Sequence, residues 1–109
     1  QPKRRQLIKI KNMNCNGILN VTCNKCGMNQ QISCSDFTDW NDVAEDEGAA
    51  GKEIQNESII EHTCFVCKNK IQIKASVWTY PNVPNQKPDC FEIDSVIGGE
   101  FVNHNCKCS

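Results

Sequence analysis

Two short stretches carry the residues best suited to chemistry. Thr22-Cys-Asn-Lys-Cys26 and Thr63-Cys-Phe-Val-Cys67 each hold two thiols separated by two residues. At that spacing a tight turn points both sulfurs the same way. Two such turns facing each other offer a tetrahedron of thiolates, each about 2.3 Å from a zinc ion. Cys23, Cys26, Cys64 and Cys67 are therefore the expected ligands of one structural Zn2+. Gly27 follows Cys26, where a residue free to take positive φ relieves the turn. Lys68-Asn69 follows Cys67, and asparagine is the next best residue for such a backbone. Lys25 and Lys68 lie beside the thiolates and would offset their charge.

Two other chemistries use the same residues. A secreted disulfide scaffold would suit nine cysteines and the glycosylation-type triplets Asn20-Val-Thr and Asn56-Glu-Ser. The odd cysteine count and the paired spacing argue against it. A thioredoxin-type redox pair needs a helix opening at its first cysteine, whereas both pairs here lead into strand-like sequence.

The flanking elements must position these turns. Leu19, Val21 and Cys23 alternate onto one face before the first turn, and Met28, Ile32 and Cys34 share a face after it. The second turn is preceded by Ser58–Thr63 and followed by the clearest strand pattern in the chain. There Ile71, Ile73, Ala75 and Val77 form one face, and Lys70, Gln72, Lys74 and Ser76 form the other, continued by Trp78 and Tyr80. Each half reads strand, Thr-Cys-x-x-Cys, strand. Before these lie a basic arm (residues 1–6) and a short alternating run around Ile8 and Ile10. Residues 35–57 form an acidic insertion: Phe37, Trp40 and Val43/Ala44 recur at helical spacing, which predicts a short helix or turn near 36–47 laying both aromatic rings on the sheet. The rest of the insertion reads as a mobile loop. Its acids suit a solvated surface or, alternatively, contact with a basic partner. A Pro-rich loop covers 81–89, a final hairpin is expected from Cys90–Val96 and Glu100–His104 around Gly98-Gly99, and the chain closes on a Cys-Lys-Cys-Ser tail. Residues 7–109 thus read as a single domain.

These hairpin-borne knuckles resemble the zinc-ribbon group, with rubredoxin-like double knuckles as the broader relative. The resemblance spans roughly residues 17–80. It implies a small, mostly-β antiparallel fold clamped by one zinc, and it implies no single function, since zinc ribbons bind nucleic acid, bind proteins or stiffen larger machines.

Composition agrees with a clamp. Of the 39% hydrophobic residues, nine of 109 are cysteines. The remaining apolar share is low for a core that must hold itself together, and small domains make up the difference with disulfides or a metal. The net charge of −1 hides blocks of +6 (residues 1–34), −8 (35–61), +4 (62–88) and −3 (89–109). Four thiolates around one dication lower the total further. That balance disfavours non-specific wrapping of nucleic acid. No apolar run is long enough for a membrane helix. The chain starts at Gln1, so the sequence reads equally as a processed product or an excised domain.

Among the remaining cysteines, Cys34 takes a core-facing position and reads as a buried apolar residue. Cys15, Cys90, Cys106 and Cys108 read as free thiols or as an adventitious disulfide; the alternative is a second metal site with His104. His62 reads as packed beside the zinc and not as a ligand. A four-cysteine site is closed to water, and the chain has no phosphate-binding glycine loop, nucleophile elbow or deaminase signature. The expectation is a non-catalytic binding module, with a protein partner favoured over nucleic acid and no membrane contact. The alternatives are a nucleic-acid-binding ribbon using Lys70, Lys74, Trp78 and Tyr80 as a stacking and phosphate-holding face, and a structural zinc appendage of a larger enzyme or assembly. Reduced thiolates suggest a cytoplasmic protein.

Overall fold

A computed structural model describes residues 13–48, 51–80 and 88–109. The basic arm, the run around Ile8 and Ile10, and most of the Pro-rich loop lie outside the described residues. Among the described residues nine strands alternate with turns: β1 (Cys15–Asn16), β2 (Ile18–Cys23), β3 (Asn29–Ser33), β4 (Asn41–Gly48), β5 (Gly51–Thr63), β6 (Lys70–Thr79), β7 (Asp89–Ile97), β8 (Gly99–His104) and β9 (Lys107–Cys108). Every pairing is antiparallel. The strands make a three-stranded sheet in the order β3-β2-β8, a four-stranded sheet in the order β4-β5-β6-β7, and a two-stranded ribbon, β1-β9.

Alternation sets the core as the sequence predicts for β2 and β6. Leu19, Val21 and Cys23 are buried on one face of β2, and Ile71, Ile73, Ala75 and Val77 on one face of β6. Both sheets contribute to one apolar cluster, which also takes in Ile32, Cys34, Phe37, Trp40, Cys64 and Cys106. On β3 the parity holds but the occupant differs. Met28 is half exposed, and Gln30 fills the buried place, fully sequestered from solvent.

The stretch after β3 contains a turn but no helix. A 3-10 turn, Cys34–Asp36, is capped by Ser33, whose hydroxyl accepts from the Ser35 N–H at 3.3 Å. The chain then lays Phe37 and Trp40 onto the core, with Trp40 Nε1 donating to the Phe37 carbonyl at 3.1 Å. Phe91 meets both rings edge-on at 5.8 and 6.3 Å. Beyond Trp40 the acidic residues are strand. β5 is thirteen residues long and pairs with β6 from Ile54↔Thr79 to Thr63↔Lys70. Its other edge is a template that β4 fills from Asn41↔Glu57 to Gly48↔Gly51, with a bulge between Asp42 and Ala44. The weak helical spacing of Phe37, Trp40 and Val43 loses to that row of backbone hydrogen bonds.

The final hairpin is also corrected. β7 pairs with β6, and β8 pairs with β2, so consecutive strands belong to different sheets. Gly98-Gly99 is the crossing point. Gly98 takes φ +89°, and a Cβ on it would lie 2.5 Å from the Lys70 carbonyl oxygen. The Cys-Lys-Cys tail is β9 and pairs with β1.

Two disulfides fasten that tail: Cys15–Cys108, with Cα atoms 4.0 Å apart, and Cys34–Cys106, with Cα atoms 5.7 Å apart. Cys34 is buried as expected, but as half of a bridge and not as a free thiol. The bridges also use up Cys15, Cys106 and Cys108, which removes the second metal site considered from sequence. His104 accepts the Cys106 backbone N–H at its Nδ1, 3.0 Å away. The side chain of Cys90 lies outside the described residues. The cytoplasmic expectation rested on reduced thiols, and two disulfides remove that basis, because such bonds persist mainly in oxidising compartments.

Candidate metal centre

Each Cys-x-x-Cys sits at the tip of a hairpin, the first between β2 and β3 and the second between β5 and β6. The two tips are built alike. The amide after each second cysteine returns to the first: Gly27 N donates to the Cys23 carbonyl at 2.9 Å, and Lys68 N to the Cys64 carbonyl at 3.2 Å. One residue further on, the Met28 and Asn69 carbonyls accept from Cys23 N at 3.0 Å and Cys64 N at 2.8 Å. The hairpin closure demands a left-handed residue directly after each second cysteine. Gly27 supplies it at φ +79°. In the second knuckle Lys68 supplies it at φ +67°, and Asn69 does not. A left-handed conformation costs a side-chain-bearing residue about 1–2 kcal/mol.

The four thiols converge. Their Sγ atoms all lie within 4.8 Å of one another, and the contacts Cys23–Cys67 and Cys26–Cys64 run between knuckles at 3.6 Å each. Sulfurs held tetrahedrally about 2.3 Å from a metal are separated by roughly 3.8 Å, so the cluster has the dimensions to hold such an ion. Cys23 and Cys64 are buried, Cys67 is half-buried and Cys26 is exposed.

The surroundings favour thiolates unevenly. Burial opposes charge on Cys23, but the backbone N–H groups of Cys26 and Lys25, together with the Cys67 and Asn69 side chains, outweigh it and lower the thiol to about 6. Cys64 is also lowered: the Cys67 backbone N–H leads, against burial, and the Val66 N–H and the neighbouring thiols add to it. Cys26 goes the other way. The Met28 N–H favours its thiolate, but desolvation and the three neighbouring cysteines prevail and push it up to about 12. Four like charges cannot share so small a volume, and a dication is the natural way to relieve them. Lys25 brings its backbone N–H to Cys23 Sγ at 3.4 Å, as Val66 does to Cys64 at 3.4 Å.

His62 stands outside the ligand set. Its Nε2 meets Gln30 Oε1 at 3.0 Å and its ring lies edge-on to Phe65 at 5.1 Å. Burial holds His62 below its ordinary pKa, with Asp36 opposing.

The other predicted face is dispersed in its chemistry. Lys70 donates to Thr63 Oγ1 at 3.0 Å, and Lys74 lies 3.9 Å from a Glu57 oxygen. Trp78 and Tyr80 are half-buried. Trp78 borders two shallow clefts, one lined by Ala44, Glu45, Glu53 and Gln55, the other by Glu53, Tyr80 and Glu92. The aromatic end of this strand therefore sits among carboxylates, away from Lys70. Of the glycosylation-type asparagines, Asn56 is fully buried and donates to the Ile54 carbonyl and Thr79 Oγ1, which closes it to a glycan in the folded chain.

No helix among the described residues is long and apolar enough to cross a membrane. No protein-family model, no curated protein and no solved structure matches this chain.

Proposed function

We propose that Cys23, Cys26, Cys64 and Cys67 hold one structural Zn2+ and that the chain is a non-catalytic, metal-stapled β module that presents a rigid surface to a protein partner. The observation that carries the reading is the convergence of four sulfurs from two hairpins within 4.8 Å. Four sulfur donors complete a tetrahedron and leave no position for water, so the ion would supply cross-linking and not Lewis acidity. A second reading, that the module stiffens a larger enzyme or assembly, uses the same site. The nucleic-acid reading is the weaker one, because carboxylates of Glu45, Glu53 and Glu92 surround the Trp78 end of the proposed stacking face. The two disulfides favour an oxidising environment, in which a bound metal would also protect the four knuckle thiols from oxidation.

Native mass spectrometry of the intact chain, before and after a strong chelator, tests this. One zinc per chain, with loss of structure around both knuckles on removal, is the expected result. One iron instead would keep the clamp and overturn the metal's identity. A mass short of protons, with no metal and the knuckle cysteines bridged, would overturn the reading.

A further inference from the structure

Backbone N–H groups reach each buried sulfur from within its own knuckle, but side-chain amides reach it from the opposite half of the molecule. Gln30, on β3 of the first hairpin, donates Nε2–H to Cys64 Sγ at 3.4 Å and to the Met28 carbonyl at 3.1 Å. Asn69, after the second knuckle, donates Nδ2–H to Cys23 Sγ at 3.6 Å and to the Gly98 carbonyl at 3.0 Å. We propose that Gln30 and Asn69 are positioning residues of the metal centre, a crossed pair of amides that draws the two hairpins together and strengthens metal binding. The proposal rests on the reading that the four cysteines hold a metal.

Two arguments carry it. The first is where the amides go. Cys23 and Cys64 are 1% and 0% exposed, and each receives one. Cys26, which is exposed, and Cys67, which is half-buried, receive none from a described side chain. Water can solvate the charge on an exposed thiolate. A buried thiolate needs a fixed donor, and hydrogen bonds to ionised acceptors are stronger than those between neutral groups. The second argument is the cost of Gln30. It is fully buried, at the position where the sister hairpin has Ile71, four residues after its second cysteine. A carboxamide there is expensive unless it is satisfied. Its Oε1 accepts from Phe65 N at 3.3 Å and meets His62 Nε2, so both ends of the group are engaged around the second knuckle. Asn69 occupies the place where the first hairpin has the exposed Met28, so the two donors stand at non-equivalent positions of equivalent hairpins. What they share is their target, the first cysteine of the other knuckle.

The test uses the full disulfide-bonded chain and the variants Gln30→Glu, Gln30→Met, Asn69→Asp and Asn69→Leu. Zinc affinity is read by competition with a chromophoric chelator, and cobalt(II) loading reports the thiolate-to-metal charge-transfer band. Loss of either amide is expected to weaken zinc binding about 10- to 100-fold and to move the cobalt band to lower energy, because a thiolate without its donor is more electron-rich. Affinities within about twofold of the parent with an unmoved band would overturn the proposal, as would weaker binding with an unmoved band, which marks a merely structural role. Should both Gln30 variants fail to fold by circular dichroism, the Asn69 variants decide alone. A parent chain that takes up neither zinc nor cobalt would instead defeat the metal reading itself.

Discussion

The two disulfides share a loop, and that gives their removal a calculable signature. In the chain-entropy picture, a bridge spanning 72 residues on its own stabilises by about 4.4 kcal/mol, and one spanning 93 by about 4.7 kcal/mol. The bridges are nested, however. With Cys34–Cys106 closed, adding Cys15–Cys108 closes only the stretches Cys15 to Cys34 and Cys106 to Cys108, about 21 residues in all, worth about 3.3 kcal/mol. The same short circuit is what Cys34–Cys106 closes when the outer bridge is already present. Replacing either pair by alanine should therefore cost about 3 kcal/mol, and replacing both about 8 kcal/mol, more than the two single losses combined. Urea denaturation of the four proteins in excess zinc measures this. The denaturant slope should rise when both pairs are gone, because the unfolded chain then expands fully. A single-pair loss below about 1 kcal/mol, or a double loss smaller than the two singles together, would refute the shared-loop reasoning.

Two further outcomes are expected. Metal affinity should rise with pH through neutrality: Cys23, lowered to about 6, is already a thiolate at pH 7, whereas Cys26, raised to about 12, releases its proton to the buffer only when the metal displaces it. Calorimetry in buffers of different ionisation enthalpy should accordingly show at least one proton released per ion bound at pH 7, and no release would contradict the assignment. The backbone favours glycine at two left-handed positions, one in the second knuckle and one at the β7–β8 crossing. Lys68→Gly should stabilise by about 1 kcal/mol by relieving a left-handed lysine, while Gly98→Ala should destabilise by at least about 2 kcal/mol, since it combines φ +89° with a 2.5 Å approach to the Lys70 carbonyl oxygen; thermal denaturation with saturating zinc would register both.

Local patterns carried the four-cysteine cluster and the strands beside it. Cys23, Cys26, Cys64 and Cys67 are legible because ligand spacing is a property of a few adjacent residues. Leu19, Val21 and the Ile71 to Val77 face are legible because period two survives in any sheet. Gln30 shows where chemistry overrides polarity. Its parity with Ile32 and Cys34 placed it on the buried face, but a carboxamide there makes sense only when the thiolate across the interface is known. Asn69 stands out in the sequence for its backbone, but Lys68 takes the left-handed conformation and Asn69 instead donates its side-chain amide to Cys23 Sγ and the Gly98 carbonyl. The disulfides were not legible, because pairing depends on which strands meet, and β1 meets β9 across nearly the whole chain. The acidic strand β4 was hidden for the same reason: its partner is an edge of β5, not a pattern of its own.

The ribbon β1-β9 has a mechanical consequence. Asn14 and Ser109 exchange both backbone hydrogen bonds, at 3.0 and 2.9 Å, and the Cys15–Cys108 bond lies immediately inside them. A pull applied between Asn14 and Ser109 would strip those hydrogen bonds and then load a covalent link. Force would pass from one flank to the other through that sulfur–sulfur bond without reaching the sheets or the cysteine cluster. The fold is thus shielded from tension for as long as the bond is oxidised, and a reductant would turn it from a bypassed element into one that must unfold under load.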